Sequence, residues 1–181
     1  MVRLAIAFEG LLLVLAWGLG WLVGAPPFER VHLNWQAMAL GTAATGPPLL
    51  AMWWCSRAQW RPFRTLMYKV EDKIIPLFAG CSQFDLILIC VLAGVGEEAL
   101  FRGVIQNLLA DLMSPRVALV VTSVIFGLGH FITPMYAVLA GLLGFYLGWL
   151  SLAHDNLLVA MATHALYDYV ALRYLVYRYK S

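Results

Sequence analysis

Long apolar runs separated by short polar breaks dominate the chain, and their length, near the roughly 20 residues needed to cross a hydrocarbon core, predicts membrane-spanning helices. Six runs are expected: residues 4–24, 36–55, 83–112, 115–131, 134–152 and 156–177. The first lacks a small-residue cleavage site and carries Glu9, so it reads as a retained span. The second contains Gly46-Pro47-Pro48, where the missing amide donors should kink or interrupt it. The third passes through a polar stretch at 96–102 before it resumes, and the fourth follows a Ser114-Pro115 break. Gly141, Gly144 and Gly148 in the fifth allow close helix contact. Between the second and third runs, residues 56–78 alternate bases, aromatics and apolar side chains (Arg57, Trp60, Arg61, Phe63, Arg64, Tyr68, Lys69, Lys73), the pattern of an amphipathic segment in the membrane interface. No internal repeat interrupts the series, so the expected architecture is all-α: a single integral membrane domain over 1–181, a helical bundle of about six spans.

Composition strengthens this reading. The 181 residues are 62% hydrophobic and 12% charged, with a mean hydropathy of +0.80. Soluble domains run at roughly 45–50% apolar and 25% charged. The net charge of +2 gives no reason to expect nucleic acid as a partner; the lipid bilayer is the expected one. Cys55, Cys81 and Cys90 have neither metal-ligand nor CxxC spacing and read as small apolar residues. If six spans alternate, Arg3, Arg57, Arg61, Arg64, Lys69, Lys73, Arg173, Arg178 and Lys180 fall on one side, and only Arg30 and Arg116 on the other. That bias predicts an integral protein of the cell membrane with both termini in the cytosol.

Polar groups left inside the spans carry the functional signal. An ionisable side chain at bilayer depth costs at least about 2.5–3.5 kcal/mol, so each needs a partner, a wet cavity or a task. Glu97, Glu98 and Arg102 form one such group, His130 a second, and His164 with Asp168 a third. Straight helices would put Glu97 and the His164/Asp168 pair near the midplane, with His130 about 10 Å toward the cytosol. Glu98 and Arg102, at i and i+4, can pair along one face, which leaves Glu97, rotated by about 100°, free to face something else. His164 and Asp168 are also i and i+4, and Phe126 shares a face with His130 and would supply an aromatic wall. Structural roles account for the rest. Glu9, Asp85 and Asp111 are expected to be interfacial or to satisfy a partner, His32 and His154 to lie solvated in loops, and Trp17, Trp21, Trp53, Trp54, Tyr174, Tyr177 and Tyr179 to anchor the interface. Taken alone, His130 and His164 would each read as a hydrogen-bonded packing histidine; their occurrence together with Glu97 favours chemistry.

Three motifs then give a resemblance. Residues 96–103 (GEEALFRG) resemble the EExxxR motif of the CPBP family, the CAAX-processing and bacteriocin-processing intramembrane proteases also called the Abi family. Residues 126–130 (FGLGH) match its FxxxH motif and 164–168 (HALYD) its HxxxN/D motif, in the family's order and on separate expected helices. The resemblance covers 84–170, an expected protease core with its active centre on three of the C-terminal helices. It implies an intramembrane endopeptidase acting on a peptide or membrane-protein substrate.

In that reading Glu97 is the general base that activates water, and His130 and His164 position the water and the scissile carbonyl, with Glu98, Arg102 and Phe126 in support. Asp168 stands where the family also has asparagine; an ionised aspartate cannot donate to an oxyanion, so Asp168 is expected to orient His164 or to be protonated itself. The preferred mechanism requires no cofactor. The metalloendopeptidase alternative would place zinc on Glu97, His130 and His164, although the chain has no HExxH. Two other classes stay open: a catalytically silent immunity or scaffold member of the same fold, and a small proton-coupled transporter. The transporter would more often show internal repeats.

Overall fold

A computed structural model describes residues 2–180; Met1, Ser181 and the side chains of Tyr179 and Lys180 lie outside the described residues. Every regular element among the described residues is helical: α1 (Val2–Val23), α2 (Trp35–Ala44), α3 (Gly46–Cys55), α4 (Arg61–Lys69), α5 (Ile75–Phe78), α6 (Gln83–Glu98), α7 (Asn107–Leu112), α8 (Pro115–Gly129), α9 (Pro134–His154) and α10 (Leu157–Lys180). π-Helical turns at Val70–Ile74 and Ala99–Gln106 join α4 to α5 and α6 to α7.

Local sequence sets the boundaries. α1 ends at Gly24, whose φ of 69° is the left-handed conformation glycine adopts at little cost. α2 starts where the Asn34 side chain accepts from the Ala37 amide, and it gives way to α3 at Gly46-Pro47-Pro48, as the missing donors require. Ser82 and Asp85 form a reciprocal capping box at the start of α6, which gives Asp85 its partner. Ser114 and Thr133 cap α8 and α9, each followed by proline at the first helical position. His154 is the last residue of α9, not a loop residue, because the chain leaves the helix one position later, at Asp155 with φ 44°. The helix of the fourth run closes at Gly129, so His130 caps it and Phe131 lies beyond it.

α1 and α9 are each long and apolar enough to cross a membrane. Arg61–Phe78 and Gln83–Leu112 pass the same test together but are bent by 114°, and α8 is a shorter apolar helix; among the described residues two helices qualify by length and composition, or three if the bent pair is one span. The outward faces of α1 and α9 expose Leu4, Phe8, Trp21, Val138, Leu142 and Trp149, as expected where the solvent is lipid. In residues 56–78, by contrast, one side is buried. Leu66, Val70 and Ile75 pack with Val176 of α10 while Arg61, Arg64 and Tyr68 stay exposed.

α6 is flanked by α1 and α10, and α8 pairs with α9. Two glycines bring α6 this close to its neighbours. A Cβ on Gly94 would lie 2.7 Å from the Ala165 backbone nitrogen, and one on Gly96 would lie 3.1 Å from the Glu9 carbonyl. Both contacts border the residues that carry the polar centre: Ala165 follows His164, and Gly96 precedes Glu97.

Candidate active site

The last turn of α6 presents two adjacent carboxylates to different surroundings, because successive residues on a helix are rotated by about 100°. Glu98 turns into the core, where its side chain is completely buried. Its Oε1 accepts from Arg102 Nη1 at 2.8 Å and from His164 Nδ1 at 2.9 Å. Arg102 Nη2 donates to the Gly144 carbonyl at 2.7 Å, so the guanidinium ties the π-helical turn to α9. Its carbon also lies 4.5 Å from the Phe126 ring centroid. Glu98 Oε2 and Arg102 Nε are buried without a hydrogen-bond partner, so the pair depends on its bonds to the Gly144 carbonyl and to a third member, His164, from α10.

Glu97 faces the other way. It lines a cavity of about 560 Å³ together with Glu9, His130, Tyr136, His164 and Asp168. Its Oε2 is buried without a hydrogen-bond partner and lies 3.4 Å from His130 Nε2. The imidazole is therefore beside the carboxylate and not about 10 Å away in depth, as the count along parallel helices implies. Two features account for the difference. His130 leaves helical geometry at φ −99°, ψ 24°, and its ring turns back so that Nδ1 donates to the Phe126 carbonyl at 2.8 Å. The ring stacks on Phe126 with centroids 4.4 Å apart, so the aromatic wall expected from the sequence is present.

Phe126, 1% exposed, also meets Phe101 edge-on at 5.0 Å and His164 at 6.1 Å. One buried ring thus fixes the spacing between the two imidazoles. His164 lies between two carboxylates. Glu98 accepts a hydrogen bond from Nδ1–H, and Asp168 Oδ2 lies 3.4 Å from Nε2. With Nδ1–H committed, Nε2 bears a proton only in the imidazolium form.

The zinc alternative fits these positions poorly. Among the described residues no three His, Cys, Asp or Glu side chains are grouped so as to hold a metal ion. His164, one of the three ligands expected for zinc, has both ring nitrogens facing carboxylates.

Sequence reasoning missed two features. The Glu98–His164 bond joins residues 66 positions apart, which no local pattern reveals. Glu9, expected to be interfacial or partnered, instead lines the cavity with one carboxylate oxygen buried and without a hydrogen-bond partner. A signal for it did exist, since Glu9 is the one ionisable side chain within the apolar run 4–24.

Residues 81–170, about half of the chain, match the family model described as type II CAAX prenyl endopeptidase Rce1-like. No curated protein and no solved structure matches the chain. The matched stretch contains Glu97, Glu98, Arg102, Phe126, His130, His164 and Asp168. The polar centre described above lies in it apart from Glu9, and the chain belongs to the CPBP family of intramembrane proteases.

Proposed function

We propose that the chain is an endopeptidase that hydrolyses a peptide bond at or within the membrane, with Glu97 as the base that activates water. The observation that carries this reading is a buried carboxylate oxygen, Glu97 Oε2, without a hydrogen-bond partner, on the wall of a cavity and 3.4 Å from an imidazole nitrogen. Glu97 takes a proton from the water, and the resulting hydroxide adds to the scissile carbonyl carbon. His130 and His164 position the water, and in their imidazolium forms their Nε2–H groups stabilise the oxygen that becomes negative. As the tetrahedral intermediate collapses, the C–N bond breaks and Glu97 returns its proton to the leaving amine. The products are a new carboxylate and a new amine.

Supporting roles follow from the hydrogen bonds. Glu98 fixes the His164 tautomer, Arg102 neutralises Glu98, and Phe126 holds both imidazoles in place. Asp168 orients His164 from the cavity side. No cofactor enters this mechanism. For topology we propose about six crossings in the cell membrane, with both termini cytosolic, on the strength of the distribution of basic residues.

The matched family's description names a prenyl endopeptidase that acts on CAAX sequences. For this chain we propose the broader substrate class of an apolar peptide or membrane-protein segment. Purified protein in detergent, incubated with a panel of labelled apolar peptides, prenylated and not, should release fragments with new amino and carboxyl termini detectable by mass spectrometry. A strong chelator should leave the rate unchanged. Intact peptides across the panel would instead support a catalytically silent scaffold, and a rate lost to chelator and restored by zinc would overturn the metal-free mechanism.

A further inference from the structure

Carboxylates outnumber imidazoles among the described residues that line the cavity beside Glu97. Its ionisable lining consists of three carboxylates, Glu9, Glu97 and Asp168, with two imidazoles and uncharged phenol and thiol groups; no lysine or arginine is among the described residues that line it. The nearby guanidinium of Arg102 is not available to a ligand. Its side chain is completely buried and bonded to Glu98 and to the Gly144 carbonyl. A substrate carboxylate brought into this space would meet three carboxylates and only imidazoles as counter-groups, whereas a cation would meet several acceptors.

Glu9 is the carboxylate the hydrolytic mechanism leaves unused. It lines the cavity from α1, and its Oε2 is buried without a hydrogen-bond partner. Its place is fixed by the backbone. The Glu9 carbonyl abuts Gly96, where a Cβ would come within 3.1 Å, so Glu9 stands next to the helical turn that carries Glu97. It shares the lining of the cavity with two further carboxylates, Glu97 and Asp168. A carboxyl group held there gains more from a cation than from any other occupant, since the cation would satisfy its open acceptor and offset the two like charges.

We propose that Glu9 is a specificity residue for the hydrolysis assigned above, and that it selects an internal peptide segment carrying a lysine or arginine side chain near the scissile bond while acidic side chains and free carboxylate termini are disfavoured. The inference rests on the proteolytic reading for its setting and on the charge of the cavity for its content.

The test uses the purified full chain in detergent and acetylated, amidated apolar peptides that differ only in having Lys, Gln or Glu beside the scissile bond. Cleavage is read as kcat/KM, and binding of the same peptides is read separately on the Glu97→Gln chain, where no chemistry intervenes. The expected order in both is Lys, then Gln, then Glu, with Lys favoured over Gln by about tenfold, the scale of one hydrogen bond to a charged group. Glu9→Gln should erase that ratio and Glu9→Asp should retain it. Equal handling of the peptides by the wild-type chain, or a Glu9→Gln variant that loses activity on all of them by one common factor, would overturn the proposal, the second result marking Glu9 as merely structural. If no peptide is cut but the Lys preference in binding is present and Glu9-dependent, the inference survives and the hydrolytic reading falls.

Discussion

At the scale of single residues, the adjacent carboxylates Glu97 and Glu98 have been given different work by one step of helical rotation. Glu98 is fully buried and serves two donors, so Glu98→Gln leaves the Arg102 charge without its counter-ion. Breaking a buried pair in this way typically costs about 3–5 kcal/mol. In denaturation of the purified protein, Glu98→Gln should lose stability on that scale, and the Glu98→Gln/Arg102→Gln double variant should lose less than the sum of the single changes. Strict additivity would show that the two side chains are not coupled. Asp168→Asn should preserve or raise peptidase activity, because an asparagine amide at the position facing His164 Nε2 can donate to an oxyanion and an ionised carboxylate cannot. An inactive but folded Asp168→Asn chain would instead make Asp168 itself an acid or base in the reaction. Part of this was legible beforehand. Spacing of i and i+4 gives the Glu98–Arg102 pair and the proximity of Asp168 to His164, since both are properties of one helix. It could not give Glu98 to His164, which depends on how α10 lies on α6.

At the scale of elements, helix starts were the most legible feature: the runs expected to begin at residues 83, 115 and 134 begin there as α6, α8 and α9, and the structure adds the Ser82, Ser114 and Thr133 caps that set those starts. The π-helical turn at Ala99–Gln106 was not legible. Its sequence suits an ordinary helix, and the turn carries Arg102 to both Glu98 and Gly144, a long-range bond outside any local pattern. The position of His130 was misjudged in depth for a related reason, since a residue that caps a helix need not follow its axis. The approach of α10 to α6 depends on Gly94, where a Cβ would stand 2.7–2.9 Å from Ala165 atoms, backbone included. Gly94→Ala should therefore displace α10, cost about 1–3 kcal/mol of stability, and lower turnover as His164 moves from Glu98. Full stability and full turnover in that variant would show that the contact has room to spare.

At the scale of the whole molecule, the sequence conveys a membrane protein more readily than it conveys the number of crossings. Apolar run length identifies α1 and α9 directly, but α8 has 15 residues, α2 and α3 are broken at the glycine-proline turn, and the α4–α7 region is bent by 114°, so counting runs is not equivalent to counting spans. The basic side chains bear on sidedness independently. A reporter fused after residue 181 and a cysteine in place of Arg64 should both report from the cytosol; labelling of that cysteine by an impermeant reagent in intact cells would contradict the six-crossing topology. The three motifs that gave the family resemblance are widely separated in sequence, and in the fold their side chains meet around Phe126 and a common cavity.

The central claim is that Glu97 supplies the base, and one comparison tests it most directly: cleavage of a responsive apolar peptide by the wild-type and Glu97→Gln chains, side by side in chelator, with the folded state of each verified by its unfolding transition. An amide keeps the shape of the side chain but cannot take a proton from water, and loss of a general base typically costs about 10²–10⁴-fold. The expected result is a Glu97→Gln chain that is folded, still binds the peptide, and cuts it at a rate reduced at least on that scale. Undiminished cleavage by the folded variant would contradict the assignment.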